Sequence, residues 1–461
     1  MKKVYCFLLF LGLISLSCNK EKQEAQSIFL AGQIINPSSR NVTLYGGNRT
    51  VETFSLDYQL RFQKIFDSLP NGIYKLEHLP EYQSLLLEKG DSLWVRINAA
   101  AFDESIVFSG RGASKNNFLM ELVLKQEKEN QYLSGKYSSK RENFSHLIDS
   151  LVLEKKKLWI GMDSVNKLSL AAQKVTQAAY IYPYATIRER YALLRGSQWT
   201  EEEDSLYFDY RKYLNYGDND LAFFDPYINY ILNFINEKAL VTGASYFQVK
   251  QTTDFNIKRL EVLDKSIKGT LLRNNLARAI ALEEILNFEN HSQHERFLQY
   301  YATVNSSPVY LAEVLDLHTD INRMEAAKPL PEIQLQNAAR DTISSSKLAQ
   351  GKSTVLYFWS QTQMNYYRNT LERMSVYRKK FPEVRFVGIC IQPFNNMVDE
   401  VQKILELDPV DQFALVNFEN ASKAWVLTLL NKAIIIDPKG RLIEGFGNFS
   451  DSNFESLLKG L

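Results

Sequence analysis

Cysteine is scarce. The 461 residues hold three, Cys6, Cys18 and Cys390. Cys6 lies inside an apolar leader and Cys18 at its end, so Cys390 is the one thiol expected in the folded part, and no disulfide can form within it. Stability must come from the core alone. A charge excess is also lacking: 54 Lys plus Arg stand against 53 Asp plus Glu, which leaves no strong pull toward nucleic acid or an acidic membrane. The apolar run Val4 to Leu16 falls short of the ~20 residues a membrane span needs. Metal-ligand patterns are thin as well. His291 and His294 share a helix-face spacing, but no third or fourth ligand is evident nearby and the segment is polar, so a solvated face is expected, with no metal and no cofactor. What is abundant is aromatic: 25 Tyr and 27 Phe read first as core packing. A chain this long reads as two to four domains.

Lys2 and Lys3 followed by Val4 to Leu16 have the form of an export signal. The stretch Ser15-Leu16-Ser17-Cys18, then the polar run Asn19 to Glu24, is similar to the lipobox of bacterial lipoproteins, although the usual Leu three places before the Cys is Ser15 here. The resemblance implies a signal peptide over residues 1–17, lipid attachment at Cys18 and a tether over 18–26. Localisation would be exported and lipid-anchored to the bacterial cell envelope, periplasmic or at the outer membrane.

Residues 27–112 read as strands. Ile28 to Ile35 ends at the turn Asn36-Pro37-Ser38-Ser39, Val42 to Tyr45 precedes Gly46-Gly47-Asn48, and Gly72 to Leu76 alternates. Leu85-Leu86-Leu87 and Leu93 to Ile97 are expected to form a hairpin around a Gly-Asp turn. Many short strands with regular turns point to a β-sandwich. Leu87 to Leu93 and Phe108 to Asn116 resemble the β-sandwich module that precedes thioredoxin-like domains in envelope lipoproteins. Residues 113–327 are helical by periodicity, with Leu147, Leu151 and Leu158 on one face and Leu276, Ile280, Ile285 and Leu286 on another. Breaks are expected at Pro183, Gly196-Ser197, Gly217 to Asp220 and Pro226. Glu154-Lys155-Lys156-Lys157 reads as a solvated helix face.

Lys328-Pro329-Leu330-Pro331 opens a last domain over 328–461. Ile333 to Gln336 with Thr342-Ile343 read as a hairpin, Val355 to Trp359 and Val384 to Ile391 as buried strands, Met397 to Leu407 and Ala421 to Leu430 as helices, and Ala433 to Ile436 with Arg441 to Phe446 as a hairpin. This alternation predicts a mixed α/β sheet. Ser353 to Arg368, STVLYFWSQTQMNYYR, resembles the first strand, active-site loop and helix of thioredoxin-like domains of the TlpA/ResA type, within the AhpC/TSA-redoxin superfamily. In that register Thr362 stands for the family's Trp, Gln363 for the first Cys of Cys-x-x-Cys, Tyr366 for the second and Tyr367 for the basic residue. Asn431 takes the place of the cis-proline, and Leu371 that of the proline in the following helix. The redox cysteines are absent.

Dithiol exchange runs through a thiolate, which neither an amide nor a phenol supplies. The whole chain thus reads as a multidomain envelope lipoprotein whose thioredoxin-like domain is a redox-inert module. It would bind a protein, peptide or small ligand in a groove formed by Trp359, Thr362, Gln363, Tyr366 and Asn431. Two alternatives stay open. One is a thiol-disulfide oxidoreductase or peroxidase working through Cys390, the only candidate thiol. The other is a glycan-binding envelope protein using the β-sandwich or the Tyr180, Tyr182 and Tyr184 cluster.

Overall fold

The computed structural model describes residues 27–79, 81–195, 199, 201–349, 351–361, 363–394 and 409–461. The expected export signal, Cys18 with its tether, the break at Gly196-Ser197, Thr362 and the helix at Met397 to Leu407 lie outside the described residues. The chain divides into two compact units: one holds the chain up to Leu214 with Asp220–Phe234, the other Asn215–Asn219 with Ile235–Leu461.

In the first unit, β1 (Ile28–Ile35), β2 (Asn41–Gly46), β3 (Arg49–Ser55), β4 (Arg61–Phe66), β5 (Gly72–His78), β6 (Glu81–Leu87), β7 (Ser92–Asn98) and β8 (Val107–Arg111) form two four-stranded sheets, ordered β4-β1-β7-β8 and β3-β2-β5-β6. Leu30, Ile34, Val95 and Ile97 from one and Val42, Leu44, Leu76 and Leu85 from the other share one apolar cluster. The expected hairpin of β6 and β7 does not form. β6 pairs with β5, whereas β7 lies parallel to β1 and antiparallel to β8. Glu88 to Asp91 therefore carries the chain from one sheet to the other. Lys115, buried, fixes that passage with ion pairs to Glu88 (2.6 Å) and Asp91 (2.8 Å).

Helix α1 (Ala113–Ser134) starts on the sequence Ala-Ser-Lys-Asn-Asn, and those polar residues are the reason it docks. Asn116 accepts from the Leu86 N–H (2.8 Å) and donates to the Leu86 carbonyl (3.0 Å), while Asn117 does the same for Phe108 (2.9 Å each). Each amide thus satisfies an edge strand, β6 of one sheet and β8 of the other. Helices α2 (Arg141–Asn166), α3 (Leu170–Arg195) and α4 (Glu201–Tyr207) follow, with Phe144, Ile148, Tyr184, Tyr191 and Tyr207 in their core. α3 runs through Pro183 without the expected break. Its aromatic face is buried on both sides of the proline, so packing outweighs the lost backbone bond. Lys155 is likewise not solvated: it is buried and paired with Glu129 and Glu154. Helix α5 (Asp225–Ala239) begins where Pro226 predicted a boundary.

In the second unit, α6 (Thr253–Ser266), α7 (Thr270–Ile285), α8 (His294–Val304) and α9 (Pro308–Arg323) precede the last sheet. Leu276, Ile280 and Ile285 are fully buried, as their spacing predicts. α9 has Ser307 at its N-cap and Pro308 in its first turn, a start legible in the sequence. The sheet has seven strands: β9 (Gln334–Asn337), β10 (Thr342–Ser344), β11 (Thr354–Trp359), β12 (Arg385–Cys390), β13 (Gln412–Leu415), β14 (Lys432–Ile436) and β15 (Leu442–Asn448). Their order is β10-β9-β13-β12-β11-β14-β15, with the central β13, β12 and β11 parallel and the rest antiparallel. Helix α10 (Met364–Lys380) crosses from β11 to β12 and packs Leu371, Met374 and Tyr377 into the core. The short α11 (Phe418–Ala424) and α12 (Phe454–Leu458) complete it. Every residue of β11 is buried, as befits a central strand covered on both faces.

Candidate functional site

The C-terminal ends of parallel strands are where an open α/β sheet presents its crevice. Here β11 and β12 end side by side, with Trp359 opposite Cys390. Trp359 is fully buried and its ring stacks on that of Tyr367 from α10, at 4.1 Å and 14°. Phe394 lies 6.5 Å from the same indole. The Trp359 Nε1 and the Tyr367 hydroxyl have no hydrogen-bond partner among the described residues. Leaving such a group unpaired costs about 1–3 kcal/mol.

Just beyond, two glutamines lock the strand ends together. Gln361 N donates to Gln392 Oε1 (3.0 Å), Gln392 Nε2 to Ser360 Oγ (2.8 Å) and Gln361 Nε2 to the Pro393 carbonyl (2.8 Å). Cys390 sits beneath this lock. Its Sγ is 3.5 Å from Gln361 Nε2 and 3.6 Å from Gln392 Oε1. The side chain is fully buried, and burial pushes its thiol up to about 11. At neutral pH roughly one thiol in ten thousand would be ionised at that value. The geometry suits a small apolar filler rather than a nucleophile.

Gln363 stands exposed in the N-cap position of α10 and Tyr366 half-buried in its first turn, where the aligned motif puts the two sulfurs. Gln363 makes no side-chain cap bond. Its N–H donates to the Ser360 carbonyl (3.2 Å) and its carbonyl accepts from Tyr367 N (3.0 Å). Burial raises the Tyr366 phenol above its ordinary value, so it remains a neutral hydroxyl. Asn431 leads into β14, but its amide donates to Asn448 Oδ1 (3.0 Å) and its carbonyl accepts from Phe449 N (2.7 Å), both toward the β15 end. Of the five predicted groove residues, Gln363 and Tyr366 stand at one helix start, while Trp359 ends β11 fully buried and lines no surface.

Sequence reasoning missed Lys432, next to Asn431. It is buried, its Nζ donates to the Val426 carbonyl (3.1 Å) and lies 4.2 Å from the Phe446 ring centre. Burial pulls its pKa down to about 7. The signal was available, because a lysine heading the run Lys-Ala-Ile-Ile-Ile belongs to a strand covered on both faces.

Elsewhere the structure bears out the packing of the tyrosines against the sugar-stacking alternative and corrects one expectation. Tyr182 and Tyr184 expose almost none of their rings, 6% and 1%. Tyr182 packs on Tyr227 and Tyr230, and Tyr184 donates to Glu129, so neither offers a face for stacking on a sugar. Nor do His291 and His294 form a solvated face: His294 is fully buried, and α9 brings in His318 beside both. Nothing local in the sequence announces His318, which joins them only through the packing of α9 on α8.

No family model matches the chain and no curated protein matches it. Among solved structures, the thioredoxin domain of a thiol-disulfide oxidoreductase from Bacteroides vulgatus is similar at 12% identity, covering 30% of this chain and 97% of that one, with a TM-score of 0.24. A thiol-disulfide oxidoreductase from Bacteroides fragilis is similar at 19% identity, covering 29% and 100%, with a TM-score of 0.23. A thioredoxin-like protein from Porphyromonas gingivalis is similar at 17% identity, covering 28% and 88%, with a TM-score of 0.24. A thioredoxin-like domain matches part of the chain.

Proposed function

We propose that this chain is a cell-envelope lipoprotein whose last domain keeps the thioredoxin-like scaffold and uses its active-site end to bind a protein, peptide or small ligand without thiol-disulfide exchange. One observation carries the reading. The helix start that would hold the dithiol presents Gln363 and Tyr366, while the sole described thiol, Cys390, is sealed beneath two locked glutamines. What remains at the surface is the exposed Gln363 amide beside the half-buried Tyr366, whose hydroxyl is itself buried, so recognition rests on the amide and on contact with the ring. The envelope location rests on Lys2, Lys3, the run Val4 to Leu16 and Cys18, and the bound species is unassigned.

A photo-crosslinking side chain introduced at Gln363, or at the exposed Val376 of the same helix, tests binding at the loop. A discrete adduct formed in cells from position 363 and absent from 376 supports the reading. Equal labelling from both positions, or none from either, counts against it.

A further inference from the structure

Three of the five histidines of this chain converge in the second unit. His291 lies in the short 3₁₀ helix Phe288–Gln293 before α8, His294 opens α8 and His318 comes from α9. One ring nitrogen of each lies within 4.8 Å of the other two, and their ring centres are 5.4, 5.7 and 6.3 Å apart. Three nitrogens bound to one tetrahedral zinc at ~2.0–2.1 Å would stand about 3.3 Å apart, a contraction that small side-chain rotations supply.

The hydrogen bonding around the cluster points the same way. His294 Nε2 meets the Asn287 carbonyl at 3.2 Å, which can only accept, so this nitrogen carries the proton and the lone pair falls on Nδ1. Nδ1 is buried with no partner among the described residues. A histidine that donates one N–H to a backbone carbonyl and keeps its other nitrogen free has the arrangement of a metal ligand with its outer partner in place. A carboxylate backs His291 in the same way, leaving its Nδ1 for an ion. Glu325 Oε1 is 3.0 Å from His291 Nε2, while its Oε2 is held at 2.5 Å by Lys328, and Asn322 Oδ1 is 2.8 Å from the same His291 nitrogen. His291 and Glu325 are each about a third exposed, 37% and 36% by side chain, which leaves an entry for an ion from solvent.

We propose that His291, His294 and His318 form a binding site for a divalent transition-metal cation, zinc being a good fit to three imidazoles, with Glu325 as the outer partner of His291. Three protein ligands leave one tetrahedral position for water. The ion ties the start of α8 to α9, and the His291–Glu325 pair extends the tie to the residues just past the end of α9. Two residues beyond Glu325 the chain joins the sheet, with Ala327 N on the Leu442 carbonyl and Leu442 N on the Lys328 carbonyl, both at 2.7 Å. Binding would thereby stiffen the entry to the last domain. The inference does not depend on the ligand-binding reading above, because it uses none of the residues at the β11 loop.

The test uses the full chain without a polyhistidine tag, freed of metal by chelation. Zinc is titrated in competition with a chromophoric chelator, and cobalt(II) is added separately to report tetrahedral coordination by its visible absorption. The expected result is one equivalent of zinc per chain, a tetrahedral cobalt spectrum, and a loss of affinity of tenfold or more in His318→Gln and in His291→Gln. Replacing buried His294 would risk unfolding, so these two variants, checked for unchanged far-ultraviolet circular dichroism, carry the comparison. Less than stoichiometric zinc in the parent chain, or equal binding in both variants, would overturn the site.

Discussion

Lys432 is the residue whose environment makes the sharpest demand. An ammonium taken out of water loses its hydration, and one backbone carbonyl, one aromatic ring and the charge of Glu444 offset only part of that loss. Its pKa of about 7 in the folded chain lies below the ~10.4 of an unfolded lysine. Between those values the unfolded chain binds more protons, so the lysine's contribution to stability rises with pH across that window and is least favourable below about 7. Urea midpoints measured from pH 6 to pH 10 should therefore climb in the parent relative to Lys432→Met. The variant should be at least as stable as the parent at pH 6, since an apolar side chain of similar length removes the buried charge. Parallel profiles for the two proteins would contradict the assignment. Cys390 shows the opposite case, a small group whose burial keeps it neutral and chemically quiet.

At the scale of elements, the start of α1 explains how the first two sheets are finished. The Asn116 amide satisfies both backbone groups of Leu86 from inside the protein, where water cannot replace it. Asn116→Ala leaves a buried N–H and a buried carbonyl unpaired, and a loss of about 2–4 kcal/mol in unfolding free energy is expected from denaturant titration. Asn117→Ala, at a partly buried bond, should cost less. The same region marks a limit of reading from sequence. The residues around Gly90-Asp91 do form a turn, but the hairpin expected from them does not follow, because local turn chemistry is the same whether the next strand pairs back or crosses to another sheet. The parallel pairing of β7 with β1, more than fifty residues earlier, decides it. Pro183 failed for a related reason: a local helix penalty was outweighed by tertiary burial of Tyr180, Tyr182 and Tyr184. By contrast β11, α10 and the β14–β15 hairpin were legible, since unbroken apolar runs and the turn Asp437-Pro438-Lys439-Gly440 are local signals.

At the scale of the whole chain, the helical stretch that reads as one region in sequence is shared between two compact units, α1 to α4 with the first sheets and α6 to α9 with the last. Helix periodicity shows which face is buried and not against what, so this division could not be read from spacing. The candidate site was legible in half. The strand, the loop and the Gln363 and Tyr366 positions stand in consecutive residues, whereas the glutamine lock over Cys390 joins residues about thirty positions apart. That lock bears on the central proposal, that the last domain binds its ligand without thiol-disulfide exchange. The direct measurement is disulfide reduction and peroxide turnover by soluble residues 19 to 461 beside Cys390→Ser. The account predicts rates for both proteins no higher than a thiol-free control. Turnover in the parent that disappears in Cys390→Ser would contradict it and make Cys390 a catalytic thiol.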